Sequence, residues 1–292
     1  MRLITFTEGG TTRIGILDDE AVVDLSAAAP DLPREMVGFL EAGDAALEAA
    51  RAALATDTPR LALADVHLES PILRPPKILA VGLNYADHVA EAGMDTPKHP
   101  MIFNKQSTSA HPPNDPFHLP RASPALDYEG ELAVVIGKRC RHVPKERAHE
   151  VIAGYMICND VSVRDWQIRV PTFTMGKSWD THCPLGPAIV TADEVSDPHS
   201  LDIRTWVNGE LRQSSNTKHL IFDAPTLIEH LSTAFTLEPG DVIPTGTPSG
   251  VGAVMKPPQF LKAGDVVKIA ISGLGEIENG VIEEPESTIS IR

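Results

Sequence analysis

The sequence predicts a strand-rich α+β fold in two units, a small one over residues 1–71 and a larger one over residues 72–292. Three observations predict it. Apolar runs are of strand length, alternating near the N-terminus and nearly unbroken further on. Proline and glycine, 25 and 21 of 292 residues, punctuate the chain throughout. Helical spacing is sustained at length only over residues 34–55.

Each element follows in order. Leu3–Phe6, Thr12–Leu17 and Ala21–Leu25 read as short strands, the second closed by the turn-like Asp18-Asp19-Glu20. Residues 34–55, rich in Ala, Leu and Glu, read as helix. From Thr56 to Lys77 the prolines Pro59, Pro71, Pro75 and Pro76 interrupt any regular element, which puts the boundary near residue 72. Lys77–Gly82 is a short apolar strand. Asn84–Glu91 makes one or two helical turns that stop at Gly93. A proline-rich loop spans residues 111–124. Leu132–Ile136 and Ile152–Cys158 are apolar enough to be buried strands, and Pro239–Ile243 and Ala263–Ile269 each read as a turn feeding a strand.

Composition excludes several function classes. The net charge of −15 disfavours nucleic acid, whose phosphates need a basic face. No stretch approaches the ~20 apolar residues that span a bilayer. The N-terminus enters an alternating pattern at once, without a signal-type apolar region, so a cytoplasmic protein is expected. Three cysteines without C-x-x-C spacing argue against a disulfide framework and a cysteine zinc site.

The sharpest local pattern is Asp127-Tyr128-Glu129-Gly130-Glu131, which opens an apolar run. Residues two apart on a strand share a face, so Glu129 and Glu131 point the same way. Their repulsion is relieved by a hard cation with oxygen ligands, at ~2.0–2.6 Å for Mg²⁺ or Ca²⁺. Read alone, the pair equally suits a solvated strand face. Asp160, at the end of an apolar strand, must be paired, capping or ligating. If the segment beyond it is helical, Asp160, Arg164 and Gln167 share a face, and a cation and an amide there would receive a substrate carboxylate. A surface ion pair is the plainer alternative. His88 and Glu91, one helical turn apart, have the spacing at which a carboxylate prepares a histidine as general base; such a pair also serves purely structural ends.

Lys105 and Lys177 are flanked by apolar or glycine-containing segments. Thr245–Gly252 is a glycine-rich loop whose backbone N–H groups could line an oxyanion site or simply make a tight turn. Two patterns mislead. Gly176-Lys177-Ser178 imitates the end of a P-loop, but Pro171 stands where the earlier glycine is required. His182-Cys183 hints at zinc but has no partner pair at ligand spacing.

Taken jointly, the motifs Asn84-Tyr85 with His88 and Glu91, Asp127 to Leu132, Asn159-Asp160 with Arg164 and Gln167, Gly176 to Ser178, and Thr245 to Gly252 resemble the fumarylacetoacetate hydrolase family in order and spacing. The likeness covers roughly residues 75–285, and the first 70 residues resemble the small N-terminal domain of many bacterial members. The resemblance implies a mixed β-roll, usually a homodimer. It implies Mg²⁺ or Mn²⁺ on Glu129, Glu131 and Asp160, with Ca²⁺ as a substitute. His88 and Glu91 match the water-activating pair, carried on a lid, and Lys177 matches the lysine that stabilises the oxyanion. Arg164, Gln167, Thr247, Lys105 and Tyr85 match positions around the substrate or the metal's water shell. The segment Lys256 to Asp265 looks closest to members acting on 2,4-dioxo acids.

The chemistry implied is hydrolysis of a C–C bond in an acylpyruvate-like acid, fumarylpyruvate or a diketo-deoxy sugar acid, through a metal-stabilised pyruvate enolate. Oxaloacetate decarboxylation and isomerisation or tautomerisation of a 2-hydroxy-dienoate use the same enolate and stay open. So does, from another class, a non-catalytic metal-stabilised binding protein. The expected partner is a small 2-oxo acid, with neither nucleic acid nor membrane.

Overall fold

The computed structural model describes residues 1–55, 57–289 and 291. Thr56, where the proline-punctuated segment starts, lies outside them. Most strands join one large mixed sheet. Across it run Arg60–Ala62, Ala21–Asp24, Thr11–Asp18, Arg2–Glu8, Cys183–Thr191, Ile152–Asn159, Gly130–Ile136, Val242–Pro244, Ile78–Gly82 and Met101–Lys105. A second sheet orders Glu210–Asn216, Asp202–Val207, Val266–Ile271, Gly275–Glu283 and Phe117–Leu119. The strand-rich α+β expectation holds.

The strand Gly130–Ile136 is buried along its whole length, which is why it reads as an unbroken apolar run. Its alternation sorts two cores. Leu132, Val134 and Ile136 pack in a cluster with Ile203, Val267, Ile269 and Ile277 of the second sheet. Ala133 and Val135 join another with Leu3, Ile14, Phe39 and Ala50 of the N-terminal segment. Each fully buried aliphatic side chain adds ~1.5–3 kcal/mol, and this apolar frame supports the polar cluster at the strand's start.

The helix expected over 34–55 is two helices, Met36–Glu41 and Gly43–Leu54. Gly43, at φ +68°, makes the break that the Ala-rich spacing conceals. In the 12-residue helix that it opens, Ala46, Ala50 and Ala53 are buried, at the spacing of one helical face. The larger unit also carries an 11-residue helix, Ala224–Ala234, capped by Asp223, whose side chain accepts from the Thr226 N–H. Arg2–Glu8 pairs antiparallel with Cys183–Thr191, so the sheet continues from the N-terminal segment into the rest of the chain.

Candidate metal centre and the cavity beside it

The site is built where two paired strands meet end to start. Glu129 stands immediately before the strand Gly130–Ile136, and Glu131 is its second residue. The paired strand Ile152–Asn159 sets Asn159 opposite Gly130, and the Asp160 N–H donates to the Glu129 carbonyl at 2.9 Å. Ligand oxygens of Glu129, Glu131 and Asp160 lie within 4.8 Å of one another, and all three residues are buried. Gly130 lets the second sheet come close: a Cβ there would stand 2.4 Å from Thr205 Oγ1.

Three cations surround these acids. Lys177 Nζ donates to Glu129 Oε2 and to Asp160 Oδ2, each at 2.7 Å. Lys105 Nζ donates to Asp160 Oδ1 at 2.7 Å. The Arg164 guanidinium bridges Asp127 Oδ2 at 2.8 Å and Glu129 Oε1 at 2.6 Å. Asp127 is also buried, so four carboxyl groups face three cations.

The electrostatics split the two glutamates. Burial pushes both toward the neutral form. At Glu129 the Lys177 and Arg164 charges overcome it and hold the carboxyl well below the usual range. At Glu131 burial, joined by repulsion from Asp160 and Glu129, drives the carboxyl well above it. Glu131 receives only the Gly246 N–H, at 2.8 Å. A divalent cation within reach of all three oxygens reverses that penalty, and an all-oxygen donor set is the chemistry of Mg²⁺, Mn²⁺ or Ca²⁺. Among the described residues this is the one group of converging His, Cys, Asp or Glu side chains of that kind.

A cavity of about 160 Å³ meets the carboxylate trio at Glu129 and is lined also by Lys177, Arg164, Gln167, His88 and Thr247, with Phe103, Phe173, Met94 and Met101 among its apolar walls. It is smaller than the ~300–1,000 Å³ pockets of drug-sized ligands and suits a compact acid. Arg164 Nη2 is buried without a hydrogen-bond partner, a donor left for such an acid. Lys177 has three protons, two of them committed to carboxylates. His88 Nδ1 lies 3.5 Å from Glu91 Oε2, close but not aligned as a hydrogen bond. Both sit on the helix Ala86–Ala92, closed by Gly93 at φ +65°.

Comparison with known proteins adds a decisive observation. The family described as fumarylacetoacetate (FAA) hydrolase C-terminal matches residues 77–282. The chain belongs to the fumarylacetoacetate hydrolase family. It is 46% identical over 288 residues to an oxaloacetate tautomerase of Xenopus laevis named as mitochondrial, covering 97% of this chain and 90% of that one. A fumarylacetoacetate hydrolase from Exiguobacterium antarcticum superposes with a TM-score of 0.85 at 39% identity, covering 97% of this chain and all of that one. Maleylpyruvate hydrolase from Sphingobium sp. SYK-6, in complex with manganese(II) and pyruvate, does so at 0.82 and 36%, covering 98% of this chain and all of that one. Among the described residues no helix is long and apolar enough to cross a membrane.

Within this family frame some expected residues fall elsewhere than their sequence context implies. Asp160, Arg164 and Gln167 do not share a helix. Ser162–Val163 is a short strand, and only Arg164–Gln167 is helical. Arg164 still meets Gln167, its Nη1 donating to Gln167 Oε1 at 2.9 Å. The Thr245–Gly252 amides bind anions, but the chain's own: Gly246 donates to Glu131, Gly250 to Glu91 and Gly252 to Asp127. Lys105 donates to the other oxygen of Asp160, Oδ1, and does not line the cavity, and neither does Tyr85. The Tyr85 hydroxyl is buried and unpartnered, and burial, with Glu131 next, raises its pKa far above the ordinary value.

Pro258 to Lys262 line a different, larger cavity of about 540 Å³ with Tyr128, Val207 and Arg212, so they stand outside the carboxylate site. The zinc-like His182-Cys183 resolves as structure. His182 Nε2 donates to the His118 carbonyl, burial keeps the ring neutral with a pKa lowered to about 3, and Cys183 packs 3.6 Å from Cys158. Gln213 carries no sequence signal, yet it reaches both Gly130 and Thr247.

Proposed function

We propose that this chain is a divalent-metal-dependent enzyme that interconverts the keto and enol forms of a small 2-oxo dicarboxylic acid of the oxaloacetate type. The observation that carries the reading is the buried trio Glu129, Glu131 and Asp160 beside a 160 Å³ cavity furnished with unspent cationic donors. The 46% identity to an oxaloacetate tautomerase supports the substrate class. When bound, Mg²⁺ or Mn²⁺ supplies a Lewis acid for the oxygen on which negative charge develops. Every other part belongs to the protein. Arg164 Nη2 and Gln167 bind the substrate carboxylate. His88, kept in place by the lid helix and by Glu91, moves the proton at C3. The remaining Lys177 proton faces the oxygen of the 2-oxo group, and the apolar walls limit water around it.

A second reading is hydrolysis of a 2,4-dioxo acid. The likeness to maleylpyruvate hydrolase favours it, and so does the His88–Glu91 pair, which serves equally to take a proton from water. Decarboxylation of oxaloacetate would need the same electron sink without that water. A homodimer and a cytoplasmic location remain part of this proposal, checked by sedimentation and by fractionation.

The test uses protein stripped with EDTA. Added Mg²⁺ or Mn²⁺ should restore keto–enol interconversion of oxaloacetate, followed by loss of enol absorbance, with pyruvate release and an acylpyruvate panel run alongside. An undiminished rate in excess EDTA would overturn the metal-dependent reading. Rapid acylpyruvate hydrolysis with slow tautomerisation would select the second one.

A further inference from the structure

Gln213 belongs to the second sheet, in the strand Glu210–Asn216, and is completely buried. Its amide makes three hydrogen bonds, all to the two segments that furnish the site. Gln213 Oε1 accepts from the Gly130 N–H at 3.0 Å. Gln213 Nε2 donates to Thr247 Oγ1 at 2.8 Å and to the Pro248 carbonyl at 2.9 Å. Thr247 Oγ1 in turn donates to the Gly130 carbonyl at 2.9 Å.

The direction of each bond is forced. A backbone N–H can only donate, so the oxygen of the amide faces Gly130. A backbone carbonyl can only accept, so the nitrogen faces Pro248. That nitrogen therefore donates to Thr247, and the single hydroxyl proton of Thr247 is spent on the Gly130 carbonyl. One lone pair of Thr247 Oγ1 remains, on a side chain that lines the cavity beside Lys177 and His88.

We infer that Gln213 is a positioning residue that fixes the Thr247 hydroxyl as a hydrogen-bond acceptor toward the cavity, so that the site recognises a ligand O–H group there, as an enol carries. The inference rests on the cavity being the 2-oxo acid site and deepens that reading. Lys177 and Arg164 offer donors, whereas Thr247 offers an acceptor. An enol differs from its keto form in needing that acceptor.

The test is calorimetric titration of the Mn²⁺-loaded protein with two small acids: glycolate, which has a hydroxyl donor, and oxalate, which has none at neutral pH. Thr247→Val should weaken glycolate about fivefold to tenfold, the scale of one lost hydrogen bond, and leave oxalate unchanged or tighter. Thr247→Ser should restore glycolate binding. Gln213→Met, or Gln213→Asn if the first does not fold, should shift the glycolate-to-oxalate preference toward that of Thr247→Val, because Thr247 Oγ1 then loses the donor that holds it in place and its proton can leave the Gly130 carbonyl for the cavity. Oxalate weakened as much as glycolate in Thr247→Val, neither acid affected, or failure of serine to rescue would overturn the polarity assignment. An unchanged preference in the folded Gln213 variant would overturn the role of Gln213. Wild-type protein that binds neither acid would instead remove the 2-oxo acid reading itself, a failure visible before any variant is made.

Discussion

Lys105 and Lys177 are both buried, and both ammonium groups rest on Asp160, one on each carboxylate oxygen. Removing one partner of a buried pair costs ~3–5 kcal/mol, because the other charge stays behind. Lys105→Met should therefore destabilise the metal-free protein by about that much, measured by urea unfolding, and by less with saturating Mg²⁺, which takes over the neutralisation. An equal loss with and without Mg²⁺ would mean that Asp160 does not reach the cation. His88→Ala carries a different expectation. The general-base role proposed for it predicts a loss on the order of 10²–10⁴-fold in turnover with metal affinity unchanged. At this scale Glu129, Glu131 and Asp160 were legible because strand alternation and the cost of burying an acid are local rules. Gln213 was not. It sits between Arg212 and Ser214 in an exposed-looking strand, and its partners Gly130 and Thr247 are distant in sequence.

Among the elements, the glycine-rich loop is tied to the helix Ala86–Ala92. The Gly250 N–H holds both oxygens of Glu91 at 3.1 Å, and Asp87 Oδ2 accepts from Ser249 Oγ at 3.4 Å. Two glycines there differ sharply. Gly93, at φ +65°, has open space where a Cβ would go, so Gly93→Ala should cost only the backbone strain of the left-handed region, about 1–2 kcal/mol, and leave turnover nearly intact. Gly250, at φ +105°, would put a Cβ 2.0 Å from the Arg212 carbonyl. Gly250→Ala should cost more stability and should also lower turnover, because it displaces the anchor of Glu91. Matched thermal unfolding and rate measurements on the two variants check this. The loop's turn chemistry was legible, but its ligands were not, since Glu131, Glu91 and Asp127 are brought to it only by the sheet. The helical reading across Asp160 to Gln167 failed for a related reason: pairing of Leu126–Asp127 with Ser162–Val163 extends the backbone where spacing alone permits a helix.

Over the whole molecule, the chain reads as two units in sequence because prolines separate them, but hydrogen bonds join Arg2–Glu8 to Cys183–Thr191. One cluster of the core holds Leu3 and Phe39 together with Ala133, Val135 and Met156. A single cooperative unfolding transition is therefore expected, with far-ultraviolet dichroism and tryptophan fluorescence coinciding. Two separated transitions would show that residues 1–71 fold independently. The N-terminal segment adds a pH dependence. Burial opposes ionisation of Asp24, but hydrogen bonds from Ser26 and Arg13 outweigh it and hold the carboxyl below its usual value. That contribution is present in full above the unfolded value of ~3.9 and disappears as pH falls through the lowered folded value. Asp24→Asn should thus be less stable than wild type at neutral pH and equal to it once Asp24 is protonated, measured by urea melts across that range.

The proposed enzyme requires that Glu129, Glu131 and Asp160 together hold one divalent cation beside the cavity. Titration of stripped wild-type protein with Mn²⁺, followed by the loss of the free-ion paramagnetic resonance signal, tests it most directly. One ion per chain is expected, and Glu131→Gln should lose most of that binding while retaining the wild-type circular dichroism spectrum. Stoichiometric Mn²⁺ binding of wild-type affinity in folded Glu131→Gln would show that Glu131 is not a ligand.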